Sequence, residues 1–411
     1  MLNYRQLIRQ HWPLLSFGLL TIFFGNIGQS FFISWFSADI QQQLRLNAAD
    51  YGASYALATL TSGTLLLIWG KVVDDLPLRR VVVGCAIGLI AACLMMTQIS
   101  GFISLTIGFL LLRFFGQGML PHISQTTMAR FFNRSRGKAL SISSSGVPLG
   151  EAVLPAILVG IFAALSFDLR WYLLAALVLL GYLPLAFWLL KRSTLTTESE
   201  AIDAGPQAHW RRRDVLKDSR FWRILPLVLA GPFMVTALFI QQQSLIASEG
   251  WSQQSLATAF ILYGIGHWLM SVVAGSMIDR FTARRLLPIM VLPLGAAMAL
   301  ITLTNGSWTV MPFMLLLGIG IGATAPTASA LWPELYGTKF LGAIRSLTTS
   351  LMIFSTASAP WIYGMLVDYL GWQPDQIFAL FTAWILLAVL SARSGLKEGL
   401  SGFMLNKPND H

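Results

Sequence analysis

The stretch Gly70-Lys-Val-Val-Asp74-Asp75-Leu-Pro-Leu-Arg79-Arg80 separates two long apolar segments of the chain. A second version, Gly275-Ser-Met-Ile-Asp279-Arg280-Phe-Thr-Ala-Arg284-Arg285, lies 205 residues further on. Two further residues recur at the same offset, since Gly137 and Pro155 are followed by Gly342 and Pro360. A constant offset shared by several elements indicates an internal duplication, which in a membrane chain predicts two similar halves.

The composition is that of a protein that spans a membrane many times. Of the 411 residues, 55% are hydrophobic and 11% are charged, whereas a soluble domain carries about 25% charged residues. Cys85 and Cys93 lie in one apolar segment, so the sequence offers no disulfide framework. The first apolar run, about 12–36, is too long for the core of a signal peptide, and we expect it to be retained.

Apolar runs of about 20 residues, the length needed to cross a bilayer as a helix, occur twelve times. They lie at about 13–37, 48–72, 79–98, 101–127, 137–164, 170–191, 222–247, 252–278, 285–304, 308–333, 339–367 and 374–395. They predict an all-α membrane protein with twelve transmembrane helices in two pseudo-symmetric six-helix bundles. Residues 1–191 and 222–411 are the predicted bundles, the second ending in a short cytoplasmic tail. Residues 192–221 are the cytoplasmic linker, whose Arg-rich end is either an amphipathic surface helix or a charge cluster that sets topology.

The distribution of basic residues predicts the orientation of these helices. Of the 28 Lys and Arg residues, 25 fall in the loops and tails on the side of the N-terminus. By the positive-inside rule both termini are then cytoplasmic. We expect the protein to lie in the lipid bilayer of the plasma membrane, such as a bacterial inner membrane. We also expect it to be a monomer. The basic net charge is explained by topology, and nucleic acid is not an expected partner.

The duplicated stretch resembles the loop signature of the major facilitator superfamily. The residues that carry the resemblance are Gly70, Asp74, Arg79 and Arg80 in the first copy, and Gly275, Asp279, Arg280, Arg284 and Arg285 in the second. The first copy departs from the family pattern, since it has Asp75 where a basic residue is usual. Arg113-Phe-Phe-Gly-Gln-Gly118 is similar to the family motif of helix 4, and Arg134-Ser-Arg-Gly-Lys-Ala-Leu140 is similar to a family loop. Within the superfamily, Phe131-Phe-Asn-Arg-Ser-Arg-Gly-Lys-Ala-Leu140 and Arg220-Phe-Trp222 are weakly similar to monocarboxylate and oxalate/formate type carriers. The resemblance implies the major facilitator fold and transport by alternating access.

The two copies of the loop are candidates for a conformational gate. Asp74 and Asp279 follow helices 2 and 8, where we expect each to face the first turn of a helix in the other half. A carboxylate there is stabilised by roughly 0.3–1 kcal/mol. Such contacts would favour the outward-open state. The alternative is that these loops only anchor the helices by their positive charge.

Two ionisable residues lie deep in predicted helices, Arg113 in helix 4 and Glu151 in helix 5. Either they form an ion pair that joins the two helices, or Arg113 binds an anionic substrate while Glu151 carries a proton. A guanidinium group suits a carboxylate because its planar donors match two oxygens. Gln117 lies one turn from Arg113, and we expect His122 to form an interhelical hydrogen bond.

Other polar residues are further candidates. Tyr263 and His267 lie on one side of helix 8, where His267 either titrates as part of the site or only packs. The family resemblance implies that helices 1, 4, 7 and 10 line a cavity, which adds four substrate-binding candidates: Asn26, Gln29, Gln241 and Thr324. In helix 5 Gly146 and Gly150, and in helix 10 the run Gly318-x-Gly320-x-Gly322, are expected to let backbones approach closely.

The sequence contains no metal-ligand cluster, no cofactor motif and no catalytic constellation, so we expect neither an enzyme nor a cofactor. The predicted function is secondary active transport of a small solute by alternating access. The favoured substrate is an organic anion such as a monocarboxylate, moved with a proton or another coupling ion. Two alternatives remain: an efflux carrier for apolar or cationic compounds, and a non-transporting membrane sensor built on a carrier fold.

Overall fold

The computed structural model describes residues 4–70, 72–132, 136–161, 164–193, 210–337 and 341–405. At positions 4, 74, 136, 279, 341–343, 346 and 397–405 it describes the backbone alone. The described residues are almost entirely helical. This agrees with the predicted all-α fold.

Eleven helices in the described ranges are long and apolar enough to cross a membrane, and one bent pair makes a twelfth span. In chain order the spans are α1 (Arg5–Gly28 and Ser30–Leu44), α2 (Ala48–Trp69), α3 (Leu78–Met96), α4 (Phe102–Phe131), α5 (Gly137–Gly160), α6 (Phe167–Arg192), α7 (Ser219–Ile240), α8 (Gln253–Ile278), α9 (Ala283–Leu303), α10 (Ser307–Tyr336), α11 (Leu347–Asp368) and α12 (Pro374–Leu396). The prediction of twelve spans in two sets of six is confirmed.

The helix boundaries repeat with the offset found in the sequence. Helices α2, α3 and α4 begin 205 residues before α8, α9 and α10 respectively. The N-terminal caps repeat as well. Asn47 accepts a hydrogen bond from the backbone N–H of Asp50, and Ser252 accepts one from Ser255. Such caps satisfy backbone donors that a helix leaves without partners in its first turn.

The chain divides into two compact units. Unit 1 consists of residues 1–202, 237–243 and 357–370, and unit 2 consists of residues 203–236, 244–356 and 371–411. Unit 1 therefore contains α1 to α6 together with the last residues of α7 and α11. The predicted bundle boundaries at residues 191 and 222 remain predictions, because the units follow packing and not the sequence order alone.

Helix α1 differs from the straight span predicted at 13–37. Its two parts meet at Gln29, whose ψ of 151° is extended, and they are bent by 48°. The turn before the bend, Asn26–Gly28, is a 3-10 helix. Because a break in a helix leaves backbone groups without their usual partners, the carbonyl group of Gly28 is available to other residues.

Close approach between helices depends on glycine, as predicted. A Cβ atom on Gly146 would lie 2.6 Å from the carbonyl oxygen of Leu19, and one on Gly318 would lie 2.2 Å from that of Tyr263. Gly322 approaches the backbone of His267 in the same way. Gly318 and Gly322, which are four residues apart, thus allow α10 to pack closely against α8. Small residues at such spacing let membrane helices pack closely and gain dispersion energy.

The Arg-rich end of the predicted linker includes a short helix, Arg212–Lys217. In unit 2, Val215 is fully buried, and the backbone N–H of Trp210 donates to the carbonyl oxygen of Tyr336 at 3.3 Å. The segment thus packs on the last turn of α10. The remainder of the linker, residues 194–209, lies outside the described residues.

Candidate functional site

Arg113 lies in α4, eleven residues after its start, or about 17 Å along the helix at 1.5 Å per residue. Its side chain is 3% exposed. Nη1 donates to the carbonyl oxygen of Gly28 at 3.5 Å, which is long for a hydrogen bond. The Cζ atom lies 4.9 Å from the centroid of the Tyr55 ring, and Nε has no hydrogen-bond partner. The guanidinium group is therefore buried with donor capacity that the described residues do not use.

The backbone around Arg113 is unusual for a membrane helix. Residues Leu112–Met119 form a π-helical segment, a geometry that occurs mostly in short stretches and often at functional sites. A Cβ atom on Gly28 would lie 2.1 Å from the carbonyl oxygen of Leu112, and one on Gly116 would lie 2.7 Å from the backbone nitrogen of Gly28. The absence of side chains at these two glycines brings α1 and α4 together beside Arg113.

Helix α2 supplies a row of polar side chains on the same side as Arg113. Tyr51, Tyr55 and Thr59 follow one another at intervals of four residues and are at most 4% exposed. Their hydroxyl oxygens have no well-formed hydrogen bonds, although that of Tyr55 lies beside Thr59 and Ser30. Buried polar groups are nearly always paired in proteins. Three hydroxyls and one guanidinium nitrogen without partners therefore indicate a place for a polar ligand or water.

This cluster is not part of the duplication. At the offset of 205 residues, Gly318 replaces Arg113, Phe260 replaces Tyr55, Leu256 replaces Tyr51 and Gly264 replaces Thr59. The corresponding helices of unit 2, α8 and α10, form without these polar groups. The polar cluster of α2 and α4 is therefore not needed to build the helical framework. Its cost in burial is about 2.5–3.5 kcal/mol for an arginine alone, which favours a functional role.

The predicted partners of Arg113 in unit 1 occupy three elements. Glu151 in α5 is 5% exposed, and it is not among the hydrogen-bond or ion-pair partners of Arg113. Asn26 is fully buried and donates through Nδ2 to the carbonyl oxygen of Gly146, so it joins α1 to α5. Gln29, at the bend, and Gln117, in the π-helical segment, are half-buried. Both lie near the backbone contact of α1 with α4.

The predicted site residues of unit 2 lie on α8 and α10. The rings of Tyr263 and His267 are 6.0 Å apart in an edge-on arrangement. Tyr263 is buried and His267 is half-buried. The hydroxyl group of Thr324 donates to the carbonyl oxygen of Gly320 within its own helix at 2.8 Å. The structure brings Tyr263 and His267 together, while the hydroxyl hydrogen of Thr324 is used inside its helix.

Gln241 lies at one end of unit 1, where the last residues of α7 and α11 pack against the start of α2. Its Nε2 donates to the carbonyl oxygens of Ala48 at 2.8 Å and Pro360 at 3.0 Å. The carboxylate of Asp368 accepts a hydrogen bond from the backbone N–H of Ala49 at 2.6 Å. Sequence reasoning missed Asp368. Its position at the end of an apolar run was the available signal, because a carboxylate is stabilised at a helix N-terminus.

The duplicated loops occupy the other ends of α2 and α8. The side chains of Asp74 and Asp279 lie outside the described residues, so the gate remains a prediction. Arg79, Arg80, Arg280 and Arg285 are exposed, whereas Arg284 is half-buried. The predicted interhelical bond of His122 is confirmed, since its Nε2 lies 3.0 Å from the carbonyl oxygen of Gly70. In unit 2, Glu334 accepts hydrogen bonds from the backbone N–H groups of Ala283 at 2.7 Å and Arg284 at 3.2 Å.

Twelve apolar spans, a sequence duplication and a buried polar cluster define a polytopic helical carrier of the membrane. A family model for the Major Facilitator Superfamily matches residues 18–245 and 237–398. The chain belongs to the major facilitator superfamily and is a transporter, not an enzyme. The expected family is thereby confirmed.

Solved structures support the same fold. A mutant of the nucleoside transporter NupG is 14% identical, with a TM-score of 0.67, over 93% of this chain and 99% of that one. A bacterial homologue of the human lysosomal transporter Spinster, in an inward-facing and occupied conformation, is 16% identical, with a TM-score of 0.59, over 98% of this chain and 96% of that one. At these identities the likeness concerns the fold alone. Comparison with curated protein sequences gave no match.

Proposed function

We propose that this transporter moves a small organic anion, such as a monocarboxylate, by alternating access, and that Arg113 binds the anionic group. The observation that carries the proposal is the state of the Arg113 side chain. It is 3% exposed, its Nε has no partner, and its one hydrogen bond to protein is 3.5 Å long. A cation held in this way is stabilised far more by an incoming anion than by its present neighbours.

The geometry of a guanidinium group favours a carboxylate in particular. Nε and one Nη nitrogen form a parallel pair of donors that matches the two oxygens of a carboxylate. The hydroxyls of Tyr51, Tyr55 and Thr59 can each donate one more hydrogen bond to an anion. A cationic substrate would meet the charge of Arg113 at close range. An organic anion is therefore a better substrate for this site than the apolar or cationic compound of an efflux carrier.

Proton coupling is the second part of the proposal. Glu151 is a buried carboxyl group on α5, the helix that Asn26 joins to α1. A carboxyl group can carry a proton, so we propose that the proton occupancy of Glu151 is linked to occupancy of the Arg113 site. His267 is a second candidate in unit 2. Substrate and proton would then cross together, with the proposed contacts of Asp74 and Asp279 formed in the outward-open state and broken in the inward-open state.

A ligand-binding screen on the purified protein tests the assignment of Arg113. Melting temperature is measured with monocarboxylates of two to five carbons, neutral nucleosides and quaternary ammonium compounds, in wild type and in Arg113→Gln. Arg192→Gln is the matched control, because Arg192 lies against Trp188 at the end of α6. We expect a monocarboxylate to stabilise wild type and the control, and the effect to be lost in Arg113→Gln. Stabilisation by a carboxylate that persists in Arg113→Gln would contradict the role of Arg113, and stabilisation by the cations alone would favour efflux.

A further inference from the structure

Unit 2 contains a cavity of about 800 Å³ beside the last turns of the membrane spans α8, α10 and α12 and the first turn of α9. Its described lining carries four arginines and one glutamate: Arg280, Arg284, Arg285, Arg393 and Glu334. The cavity is separate from the Arg113 cluster, which belongs to unit 1. Its lining charge is strongly positive, so an anion is the ligand that its electrostatics favour.

Glu334 is the one carboxylate in the described lining, and its single negative charge offsets only part of the positive charge of the four arginines. The carboxylate oxygens of Glu334 accept hydrogen bonds from the backbone N–H groups of Ala283 and Arg284, at the first turn of α9. The guanidinium group of Arg284 donates to the backbone carbonyl oxygen of Glu334. Arg280, Arg285 and Arg393 form no ion pair with any described side chain. Three arginines are thus left facing a cavity with no acidic partner among the described residues.

The duplication provides an internal comparison between this cavity and the loop of the first copy. Arg284 and Arg285 correspond to Arg79 and Arg80 in the first copy. Asp75 stands in place of Arg280, and Trp188 stands in place of Arg393. The corresponding cavity in unit 1 has a volume of about 440 Å³, and the only charged residues in its described lining are Arg79 and Arg80. Arg280 stands where the family loop usually has a basic residue, so Arg393 alone lies outside the family pattern, and neither arginine has a basic counterpart in unit 1.

The apolar part of the lining indicates which anion fits. Phe281 is 42% exposed and Ile289 is 54% exposed, and both border the cavity. The guanidinium group of Arg280 lies 5.2 Å from the ring of Phe281. Arginines next to exposed apolar side chains at the ends of transmembrane helices match the boundary between phospholipid headgroups and acyl chains. The positive-inside rule predicts that this side faces the cytoplasm.

We propose that this cavity binds the phosphodiester headgroup of an anionic phospholipid from the cytoplasmic leaflet. Arg280, Arg285 and Arg393 hold the phosphate, and an acyl chain lies against Phe281 and Ile289. A phosphodiester carries one full charge and oxygens that accept charge-assisted hydrogen bonds from guanidinium groups. Because the bound lipid would touch the ends of α8, α9 and α12, it would join these helices in unit 2.

Native mass spectrometry of the full chain in detergent micelles, with added phosphatidylglycerol or phosphatidylcholine, tests the proposal. The test variant is Arg280→Gln/Arg393→Gln, and the matched control is Arg79→Gln/Arg80→Gln in the other copy. We expect phosphatidylglycerol to bind wild type and the control with the same affinity, and to bind the test variant at least fivefold more weakly. Phosphatidylcholine, which has no net charge, should bind all three weakly. Arg280→Lys/Arg393→Lys, which keeps the charge, should retain at least half of the bound phosphatidylglycerol, and melting curves establish that each variant is folded.

Three results would overturn the proposal. Unchanged phosphatidylglycerol binding in the test variant would show that Arg280 and Arg393 do not bind the lipid. An equal loss of binding in the test and control variants would show that the lipid responds to the net charge of the protein and not to this cavity. Displacement of phosphatidylglycerol by an equal concentration of soluble glycerol 1-phosphate would identify a free phosphate as the ligand, not a lipid. If the double glutamine variant does not fold, the single variant Arg393→Gln is used, because Arg393 is exposed on α12, and it must show at least a twofold loss.

Discussion

At the scale of single residues, the central feature is Arg113, a cation buried in a membrane helix whose hydrogen-bond donors are only partly used. Arg113 has Gly28 and the Tyr55 ring as neighbours, and neither carries a negative charge. A cation–π contact contributes about 0.5–2 kcal/mol and increases with desolvation, which does not replace a carboxylate. The site is therefore best understood as arranged for a ligand that brings the missing charge.

Tyr55→Phe should weaken binding of the monocarboxylate and leave the fold intact. The change removes the hydroxyl group and keeps the ring on which Arg113 rests. Loss of one hydrogen bond to an anion costs about 1.5 kcal/mol, or roughly tenfold in affinity. Isothermal titration of the purified protein measures this. Tyr182→Phe is the control, because Tyr182 is also buried in unit 1 but its hydroxyl donates to Thr21. Equal affinities in Tyr55→Phe and wild type would remove Tyr55 from the site.

Glu249 lies outside the membrane spans, and its carboxyl group should make the stability of the protein depend on pH. Burial raises the pKa of this carboxyl group, the backbone of Gly306 opposes the shift, and Asp375 adds to it. The native state therefore binds its proton more tightly than the unfolded state. The contribution of Glu249 to stability declines as pH rises above the ordinary glutamate pKa, and it stays low above the raised pKa.

The variant Glu249→Gln should accordingly melt at a higher temperature than wild type at pH 7 and at nearly the same temperature at pH 4. Thermal melts between pH 4 and pH 7 test whether the difference in melting temperature has this sign. The matched change Asp168→Asn alters an exposed carboxylate and should give no gain at pH 7. A wild type that is more stable than Glu249→Gln at pH 7 would show that the charged form is favoured in the folded protein.

At the scale of elements, the polar cluster depends on a backbone contact between α1 and α4. Gly28 and Gly116 touch through their backbones, and the bend of α1 follows directly at Gln29. This arrangement presents the carbonyl group of Gly28 to Arg113. The π-helical turn of α4 then sets the direction of the residues that follow Arg113.

Gly28→Ala should destabilise the protein and displace Arg113 together with α4. The added Cβ atom would lie 2.1 Å from a backbone oxygen, so the helices must separate. Overpacking of this kind typically costs about 1–3 kcal/mol. Gly84→Ala is the control, because a Cβ atom at Gly84 meets nothing within 4 Å. Thermal melts compare the two variants, and equal melting temperatures would contradict the close contact.

Several elements could be predicted from the sequence because they rest on local patterns. The lengths of the apolar runs predicted the twelve spans, and glycine spacing predicted a close backbone approach of α10 without naming its partner. His122 was assigned an interhelical bond because it falls on the opposite face of α4 from Arg113. The bend of α1 was not predicted, although Asn26-Ile-Gly28-Gln29 is more polar than its neighbours and contains two poor helix formers, Asn26 and Gly28. Its cause lies in packing against α4, which a linear pattern does not contain.

The candidate site was predicted only in part. Arg113 is detectable because charge in an apolar helix is rare. Tyr51, Tyr55 and Thr59 were missed, although they share a helical face. Small hydroxyl residues such as Thr61 and Thr64 also lie on the other faces of α2, so its sequence does not mark the face towards α4. The neighbours of Arg113 could not be predicted either, because separation along the sequence does not show whether Gly28 or Glu151 lies closer to the guanidinium group.

At the scale of the whole molecule, the duplication separates what the fold requires from what the function requires. Helix starts, N-terminal caps and the paired loops recur at 205 residues, and these features build the two halves. The Arg113 cluster in unit 1 and the additional arginines of unit 2 do not recur. Features outside the repeat are the ones on which substrate choice and lipid binding are proposed to depend.

The most direct test of the account is uptake of radiolabelled L-lactate, acetate and pyruvate into proteoliposomes under an imposed proton gradient. Wild type and Arg192→Gln should accumulate at least one of these monocarboxylates above its external concentration, and collapse of the gradient should abolish the accumulation. Arg113→Gln should reduce the initial rate at least tenfold. Monocarboxylate uptake at the wild-type rate in Arg113→Gln would contradict the central claim that Arg113 selects the substrate.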